Sequence, residues 1–191
     1  MLIYDILLKY NTDKNEGVLH PMSNGIGHTY GKSYDKIFES FNRNDQLSIL
    51  EIGIQKGGSL VAWKEYFNNS TIYGVDIIDS ISPEYRNNDF HYIFNDIKSN
   101  KTTEILKDLK FDIIIDDGSH ELPDVLFVVS NYLKNINDKG ILIIEDCQQP
   151  EFWIKEIKKL INDDYIIITS DLRNDRVNYQ YDNFLIIIKK K

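Results

Sequence analysis

Two pairs of adjacent carboxylates follow hydrophobic runs and are the residues of this chain best suited to do chemistry. Asp116 and Asp117 end the run FDIIIDD, and Glu145 and Asp146 end the run GILIIED. Ile-rich runs of this kind are typical of strands buried on both faces of a parallel sheet. If the two strands are neighbours, the acids lie roughly 5 Å apart. Because clustered carboxylates repel one another, we expect a bound proton or a cation, and a hard divalent metal ion fits best.

A glycine-rich turn predicts a ligand that approaches the main chain closely. Gly53, Gly57 and Gly58 lie in LEIGIQKGGS, and their GxxxGG spacing differs from the GxGxxG of dinucleotide enzymes. Asp76 ends the following strand, where a carboxylate can accept hydrogen bonds from ribose hydroxyls. The combination predicts an adenosine-type ligand, although such turns also arise from packing alone. Glu51 either faces the amino group of a methionine moiety or bonds to nearby backbone.

The order of the secondary-structure elements predicts the fold. Strands are expected at 47–54, 71–77, 90–94, 111–116 and 140–145, and helices are expected up to residue 67 and at 100–109, 122–133 and 151–161. Two more strand-like runs, 164–170 and 183–190, are joined by a polar linker without a helical pattern. They predict an antiparallel pair that closes a mostly parallel, seven-stranded sheet. The expected fold class is α/β, a Rossmann-like three-layer sandwich.

Length and composition predict one domain with a short appendage. The 191 residues, 42% of them hydrophobic, can bury one sizeable core. We divide the chain into an N-terminal cap or lid with a helix at 33–41 (1–45) and a main domain (46–191). The net charge of −8 argues against a nucleic-acid or membrane partner. Cys147 is the single cysteine, which excludes an internal disulfide and fits a reducing, cytoplasmic location.

Several motifs together resemble a known group of enzymes. They are TDK (12–14), HTYGKSYDKIF (28–38), LEIGIQKGGSL, YGVDI, IIIDDGSH and IIEDCQ, and they span most of the chain. The chain resembles class I S-adenosylmethionine-dependent methyltransferases. More narrowly, it is similar to the metal-dependent sugar O-methyltransferases of macrolide biosynthesis. That group also has relatives named for rhamnosyl methylation and cephalosporin hydroxylation. DDGSH followed by a later ED is the part of the pattern that is specific to this group, whereas the glycine motif alone would not be specific.

The resemblance implies a reaction and residues for it. The reaction is Mg²⁺-dependent transfer of a methyl group from S-adenosylmethionine to a hydroxyl of a sugar or glycoside. Asp117, Glu145 and Asp146 match the metal ligands, and His120 matches the general base. The residues predicted to bind the cofactor, from the pattern and the resemblance together, are Glu51, Gly53, Gly57, Asp76, Asp96, Asp116 and Tyr30. His28 and Tyr34 belong to the same N-terminal motif, and a homo-oligomer stays open.

Several of these residues also have plainer explanations. Asp116 fits a strand-end hydrogen-bond acceptor, because alternation along the strand points it away from Asp117. His120 fits the start of a helix, and Asp146 fits a helix N-cap. Tyr30 recurs with Tyr34 and Phe38 at every fourth residue, which is also the spacing of a core-facing helix stripe.

Three other functions compete with sugar methylation. A catechol-type O-methyltransferase is the nearest, because a metal ion orients a catechol diol equally well. An NAD-binding Rossmann domain is less favoured by the glycine spacing. A non-catalytic methyltransferase-like domain is less favoured because Asp117, His120, Glu145 and Asp146 are all present.

Overall fold

The core of the molecule is a seven-stranded sheet. A computed structural model describes residues 1–15, 27–174 and 183–191. Its strands are β1 (Ser48–Ile52), β2 (Thr71–Asp76), β3 (His91–Phe94), β4 (Phe111–Asp116), β5 (Ile136–Ile144), β6 (Tyr165–Asp171) and β7 (Phe184–Lys190). The strand order is β3-β2-β1-β4-β5-β7-β6, with β7 antiparallel to both β5 and β6 and the other pairs parallel. The predicted mixed sheet with an antiparallel terminal hairpin is confirmed.

Helices cover both faces of this sheet. They are α1 (Ile3–Lys9), α2 (Gly31–Phe38), α3 (Gly58–Tyr66), α4 (Asn100–Leu106), α5 (Leu122–Tyr132) and α6 (Pro150–Ile157), with a 3-10 turn at Leu133–Asn135. In β4, Ile113 and Ile115 pack in the core under α1–α3, whereas Ile114 packs under α4–α6. Burial on both faces explains why the strand reads as an unbroken run of Ile. In the described ranges, no helix is long and apolar enough to cross a bilayer.

The described part of the N-terminal segment packs on the same core as α3. Ile3 and Leu7 of α1 are fully buried, as is Tyr34 of α2. The sequence pattern did not reveal α1, and the helix expected at 33–41 begins at Gly31 and ends at Phe38. Most of the loop expected at 15–31 lies outside the described residues. The domain boundary at residue 45 stays a prediction.

Element ends differ from the expected ones where backbone geometry intervenes. The first strand stops at Ile52 because Gly53 has a φ of +81°. The fifth strand begins at Ile136, earlier than expected, through an irregularity in its pairing with β4 between Phe111 and Ile113. Helix α6 ends at Ile157, four residues before the expected end. The candidate residues Gly53 and Glu145 therefore directly follow strands β1 and β5 instead of lying within them.

Candidate active site

The carboxyl ends of β4 and β5 lie side by side. Asp116 is opposite Ile144 in parallel register, and the Glu145 N–H donates to the Asp116 carbonyl at 3.0 Å. The expectation that the two acidic strands are neighbours is therefore confirmed. The chain order of the strands reverses between β1 and β4, and ligands of open α/β sheets bind beyond the strand ends at such a point.

A lysine ammonium lies between the carboxylates of the site. Lys14 Nζ is 2.5 Å from Asp117 Oδ2, 2.9 and 3.0 Å from the two oxygens of Glu145, and 3.3 Å from Glu51 Oε1. Lys14 and Glu145 are each 2% exposed, and Glu51 is fully buried. The sequence predicted a cation among these acids, and the chain itself supplies one. The TDK motif was the signal that could have identified Lys14, but no role was assigned to it.

The charges of this cluster stabilise one another against burial. Burial by itself would lower the pKa of Lys14, but the charges of Asp117, Glu145 and Glu51 outweigh it and raise that pKa well above its usual value. Burial raises the pKa of Glu145 to about 7 although Lys14 opposes this shift. Lys14 therefore stays an ammonium, and it is the group that makes a buried carboxylate cluster tolerable.

Asp117, His120 and Asp146 form a second group on the outer side of the same cluster. One potential ligand atom from each lies within 4.8 Å of the other two. His120 Nε2 is 3.9 Å from Asp117 Oδ1 and 3.7 Å from Asp146 Oδ2, and His28 Nε2 is 3.5 Å from Asp146 Oδ1. The two carboxylates supply the hard oxygen donors that Mg²⁺ prefers, so these residues fit such an ion. Glu145, also predicted as a ligand, instead contacts Lys14.

Two residues of this group have an unusual backbone conformation. His120 has a φ of +56° and Asp146 a φ of +54°, in the left-handed region that non-glycine residues rarely adopt. Each such residue costs about 1–2 kcal/mol. Left-handed residues of this kind concentrate at functional sites, where the surrounding structure enforces them. The loops after β4 and β5 are therefore shaped around the positions of these side chains.

The aromatic residues of the N-terminal motif bond to the same carboxylates. The Tyr34 hydroxyl donates to Glu145 Oε1, and the Tyr30 hydroxyl donates to Asp146 Oδ1 while it accepts from the Asp146 N–H at 3.2 Å. The His28 ring stacks on Tyr30 with centroids 4.8 Å apart. Both tyrosines are fully buried, so core packing and a polar role are combined. Tyr30, predicted to bind the cofactor, lines neither of the two cavities described next.

A cavity of about 350 Å³ lies beside the site and collects most of the predicted cofactor residues. Gly53, Asp76, Asp96 and Asp116 all line it. Asp76 Oδ2 accepts hydrogen bonds from the N–H groups of Ile54 (2.9 Å) and residue 55 (3.0 Å), so this carboxylate holds the glycine turn in place. Oδ1 of Asp96 accepts from the N–H of residue 98 at 2.7 Å. The strand-end acids thus face one shared space.

A second cavity of about 310 Å³ lies on the other side of the glycine turn. It is lined by residues 10–14, by Gly53 and Gly57, and by Asp117. Gly57 has a φ of +85° and leads directly into α3. Gly53 and Asp117 line both cavities, so the two cavities adjoin at the glycine turn.

Glu51 and Asp116 occupy different surroundings from those expected. Glu51 lies behind Lys14, accepts a hydrogen bond from Trp63 Nε1 at 2.9 Å, and lines neither cavity. Asp116 is 6% exposed, and its Oδ2 has no hydrogen-bond partner within the described residues. Burial raises the Asp116 pKa to about 7. The Asp116 carboxylate also accepts a backbone hydrogen bond from Gly118, as expected of a strand-end acceptor, and its contact with a cofactor stays a prediction.

Solved structures share this fold. The MycE methyltransferase of the mycinamycin pathway, solved with Mg, S-adenosylhomocysteine (SAH) and mycinamycin VI, superposes with a TM-score of 0.71 at 23% identity, covering 98% of this chain and 54% of that one. A structure described as a putative rRNA methylase from Clostridium thermocellum gives a TM-score of 0.64 at 14% identity and covers 86% and 97% of the two chains. At these identities the likeness concerns the fold, and the chain has the Rossmann-like fold of class I methyltransferases.

Sequence comparison narrows the resemblance. The chain is 33% identical over 135 residues to the 8-demethyl-8-alpha-L-rhamnosyl tetracenomycin-C 2'-O-methyltransferase of Streptomyces olivaceus, covering 66% of this chain and 35% of the relative. It is 34% identical over 135 residues to the mycinamicin VI 2''-O-methyltransferase of Micromonospora griseorubida, covering 64% and 32%. No family model matches. The predicted resemblance to macrolide-type sugar O-methyltransferases is confirmed, and the chain spans about a third of the length of these relatives.

Proposed function

We propose that this chain is an S-adenosylmethionine-dependent O-methyltransferase that uses Mg²⁺ and methylates a hydroxyl of a sugar or glycosylated metabolite. The observation that carries the proposal is the grouping of Asp117, His120 and Asp146 at the sheet edge where the cavity of Asp76 and Asp96 opens. Acids that hold a ribose and acids that hold a metal ion are the two components such a reaction needs, and Asp117 connects them because it belongs to the metal group and also lines the cavity.

The cavity beside the glycine turn is the proposed cofactor site. Asp76 would accept hydrogen bonds from the ribose hydroxyls through Oδ1, which has a second lone pair beyond its bond from the Ile78 N–H, whereas Oδ2 already accepts two N–H groups of the turn. Asp96 would accept from the adenine amino group, and Asp116 lines the same cavity. Gly53 and Gly57 would let the methionine portion pass close to the main chain.

Asp117, Glu145 and Asp146 are the proposed metal ligands. Two of them, Asp117 and Asp146, belong to the compact group with His120. Glu145 follows the neighbouring strand and is hydrogen-bonded by Lys14 and Tyr34, so it would contribute while those donors hold its orientation. When bound, the ion would hold two hydroxyls of the acceptor and favour loss of a proton from one of them.

His120 is the proposed general base. Its imidazole is about 30% exposed at the rim of the site, and Nε2 faces Asp117 and Asp146 at 3.9 and 3.7 Å. From this position His120 would take the hydroxyl proton as the oxygen attacks the methyl carbon. The C–O bond forms as the C–S bond breaks, and the donor leaves as the neutral thioether. Orientation of the two substrates would supply much of the rate enhancement.

A sugar hydroxyl is the proposed acceptor because the curated relatives are named for methylation of sugar-bearing metabolites. We place the reaction in the cytoplasm, in a carbohydrate-decorating pathway, where the buried thiol of Cys147 stays reduced. A catechol acceptor remains the alternative to be separated by experiment, since a metal ion orients vicinal hydroxyls of either kind.

Calorimetric titration tests the cofactor assignment directly. S-adenosylmethionine should bind, NAD should not, and Asp76→Ala should weaken S-adenosylmethionine binding at least tenfold. Asp79→Ala is a matched control on the loop after the same strand, because the Asp79 side chain is exposed, pairs with Arg86 and lines neither cavity. Failure of S-adenosylmethionine to bind, with and without Mg²⁺, would remove the methyltransferase assignment.

Acceptor screens test the reaction itself. Sugar and catechol panels are incubated with S-adenosylmethionine and Mg²⁺, and methylated products are detected by mass. His120→Ala should abolish turnover and keep cofactor affinity, whereas His91→Ala should leave turnover unchanged, because His91 stacks on Tyr73 away from the site. Products from catechols alone would replace the sugar assignment, and wild-type turnover by His120→Ala would exclude His120 as the base.

A further inference from the structure

The ammonium of Lys14 contacts carboxylates that are also proposed to bind the metal ion. Its ammonium contacts Asp117 through Oδ2 alone, while Oδ1 of that residue faces His120. It contacts both oxygens of Glu145, at 2.9 and 3.0 Å. Two proposed metal ligands are therefore oriented by the same nitrogen.

The backbone around Lys14 is anchored on both sides, so the ammonium cannot easily withdraw. The Thr12 N–H donates to Leu7 O at 3.2 Å, and Asn15 Nδ2 donates to Tyr4 O at 2.7 Å. Gly27 packs so tightly against this segment that an added Cβ would lie 2.2 Å from the Asn15 carbonyl oxygen. The side chain is 2% exposed among three carboxylates. Lys14 is a fixed part of the site.

We propose that Lys14 is a positioning residue of the divalent-cation site, which orients Asp117 and Glu145 and limits by its own charge how tightly the ion is held. This inference rests on the proposed metal-dependent function. A single and a double positive charge about 5 Å apart repel enough, even with the dielectric constant of water, to change an affinity more than tenfold. The ammonium thus orients the ligands Asp117 and Glu145, and it lowers the affinity of the site for the ion.

The role predicts two effects of opposite sign when the charge of Lys14 is removed. The remaining carboxylates lose their internal counter-charge, so a divalent ion should bind more tightly. The same carboxylates repel one another when no ion is present, so the folded state should be less stable without metal. If Lys14 had only a structural role, its replacement would lower both the affinity for the ion and the stability of the folded state.

Binding of Mn²⁺, a probe with the same oxygen-ligand preference as Mg²⁺, tests this without an acceptor. Free Mn²⁺ is followed by electron paramagnetic resonance during titration of wild type, Lys14→Met and Lys14→Arg. Lys14→Met should bind at least tenfold more tightly, about 1.4 kcal/mol, and Lys14→Arg should stay within about threefold of wild type. Mn²⁺ should also raise the melting temperature of Lys14→Met more than that of wild type.

The outcomes separate this inference from the proposed function. Equal or weaker Mn²⁺ binding by a folded Lys14→Met protein would overturn the role of Lys14. If Lys14→Met binds Mn²⁺ and the wild type does not at millimolar Mn²⁺, the metal-dependent function is overturned. The proposal that the charge of Lys14 opposes ion binding would then stand. Binding by neither protein would overturn both. If Lys14→Met does not fold, Lys14→Gln, which keeps hydrogen-bond donors without the charge, carries the same expectations.

Discussion

Replacing Gly53 by alanine should destabilise the protein by separating the two strand ends that build the site. Gly53 has a φ of +81°, and a Cβ at this position would lie 1.9 Å from the carbonyl oxygen of Asp117. The left-handed conformation alone costs an L-residue about 1–2 kcal/mol. The clash adds to this cost, because backbone hydrogen bonds from Gly53 to Val75 (2.8 Å) and from Asp117 to Ile52 (2.9 Å) hold both partners in place. We expect a loss of at least ~3 kcal/mol.

Gly74→Ala is the matched control for Gly53→Ala. A Cβ at Gly74 would lie 2.9 Å from a terminal methyl of Leu60 and 3.0 Å from one of Ile54, both ends of flexible side chains, and no left-handed φ is involved. Overpacking of this kind costs about 1–3 kcal/mol, and flexible side-chain ends that can move aside place Gly74 at the low end of that range. Urea unfolding, followed by tryptophan fluorescence, gives the free energy of unfolding of each variant. The two values are compared provided that both variants show the same dependence of this free energy on urea concentration. Equal losses would refute the argument that the approach of Gly53 to Asp117 requires glycine.

Three further predictions concern single residues. His120→Gly should be about 1 kcal/mol more stable than His120→Ala, because glycine accepts a φ of +56° and alanine does not; equal melting temperatures would contradict this. Tyr34→Phe should lower the free energy of unfolding by about 1–3 kcal/mol, because it removes a buried hydrogen-bond donor to Glu145. An unchanged midpoint of thermal unfolding would argue against that hydrogen bond. Cys147 should be inert to Ellman's reagent at pH 8 until the chain unfolds, since it is fully buried and burial raises its thiol pKa; rapid reaction of the folded protein would count against the packing.

The fold was predictable because the local patterns agree with the global arrangement. Hydrophobic runs such as the one ending at Asp116 indicate the strands of the sheet. The polar linker between the last two runs has no helical pattern, which indicates that β6 and β7 form a hairpin. Helix α1 was missed because its pattern was treated as part of a loop-rich cap, although Ile3, Ile6 and Leu7 form a buried stripe at helical spacing. Strand ends shifted where a left-handed glycine or an irregular pairing intervened, which propensity does not show.

The site was predictable where its residues follow strands and hidden where they come from the N-terminal segment. Asp117 and Glu145 follow neighbouring strands, so their meeting depends only on sheet order. Lys14 is separated from them by 103 and 131 positions, and no periodic pattern connects such distances. Glu51 is a buried acid whose partners in the structure are the Lys14 ammonium and Trp63 Nε1, and its contact with a ligand amino group stays a prediction.

The cation that the structure shows between the acidic strands is the ammonium of Lys14, the divalent ion expected there stays a prediction, and the ammonium balances only part of the charge. Glu51, Asp117 and Glu145 carry three carboxylates around one ammonium, and Asp146 adds a fourth beside His120. Because Lys14 compensates one negative charge on the buried side, an excess remains on the side that faces His120. That side also carries the left-handed loops, which place Asp146 and His120 together at a cost in backbone strain. A strained group with excess negative charge is stabilised by an external cation, so the argument from the acidic pairs still applies to Asp117 and Asp146 beside His120.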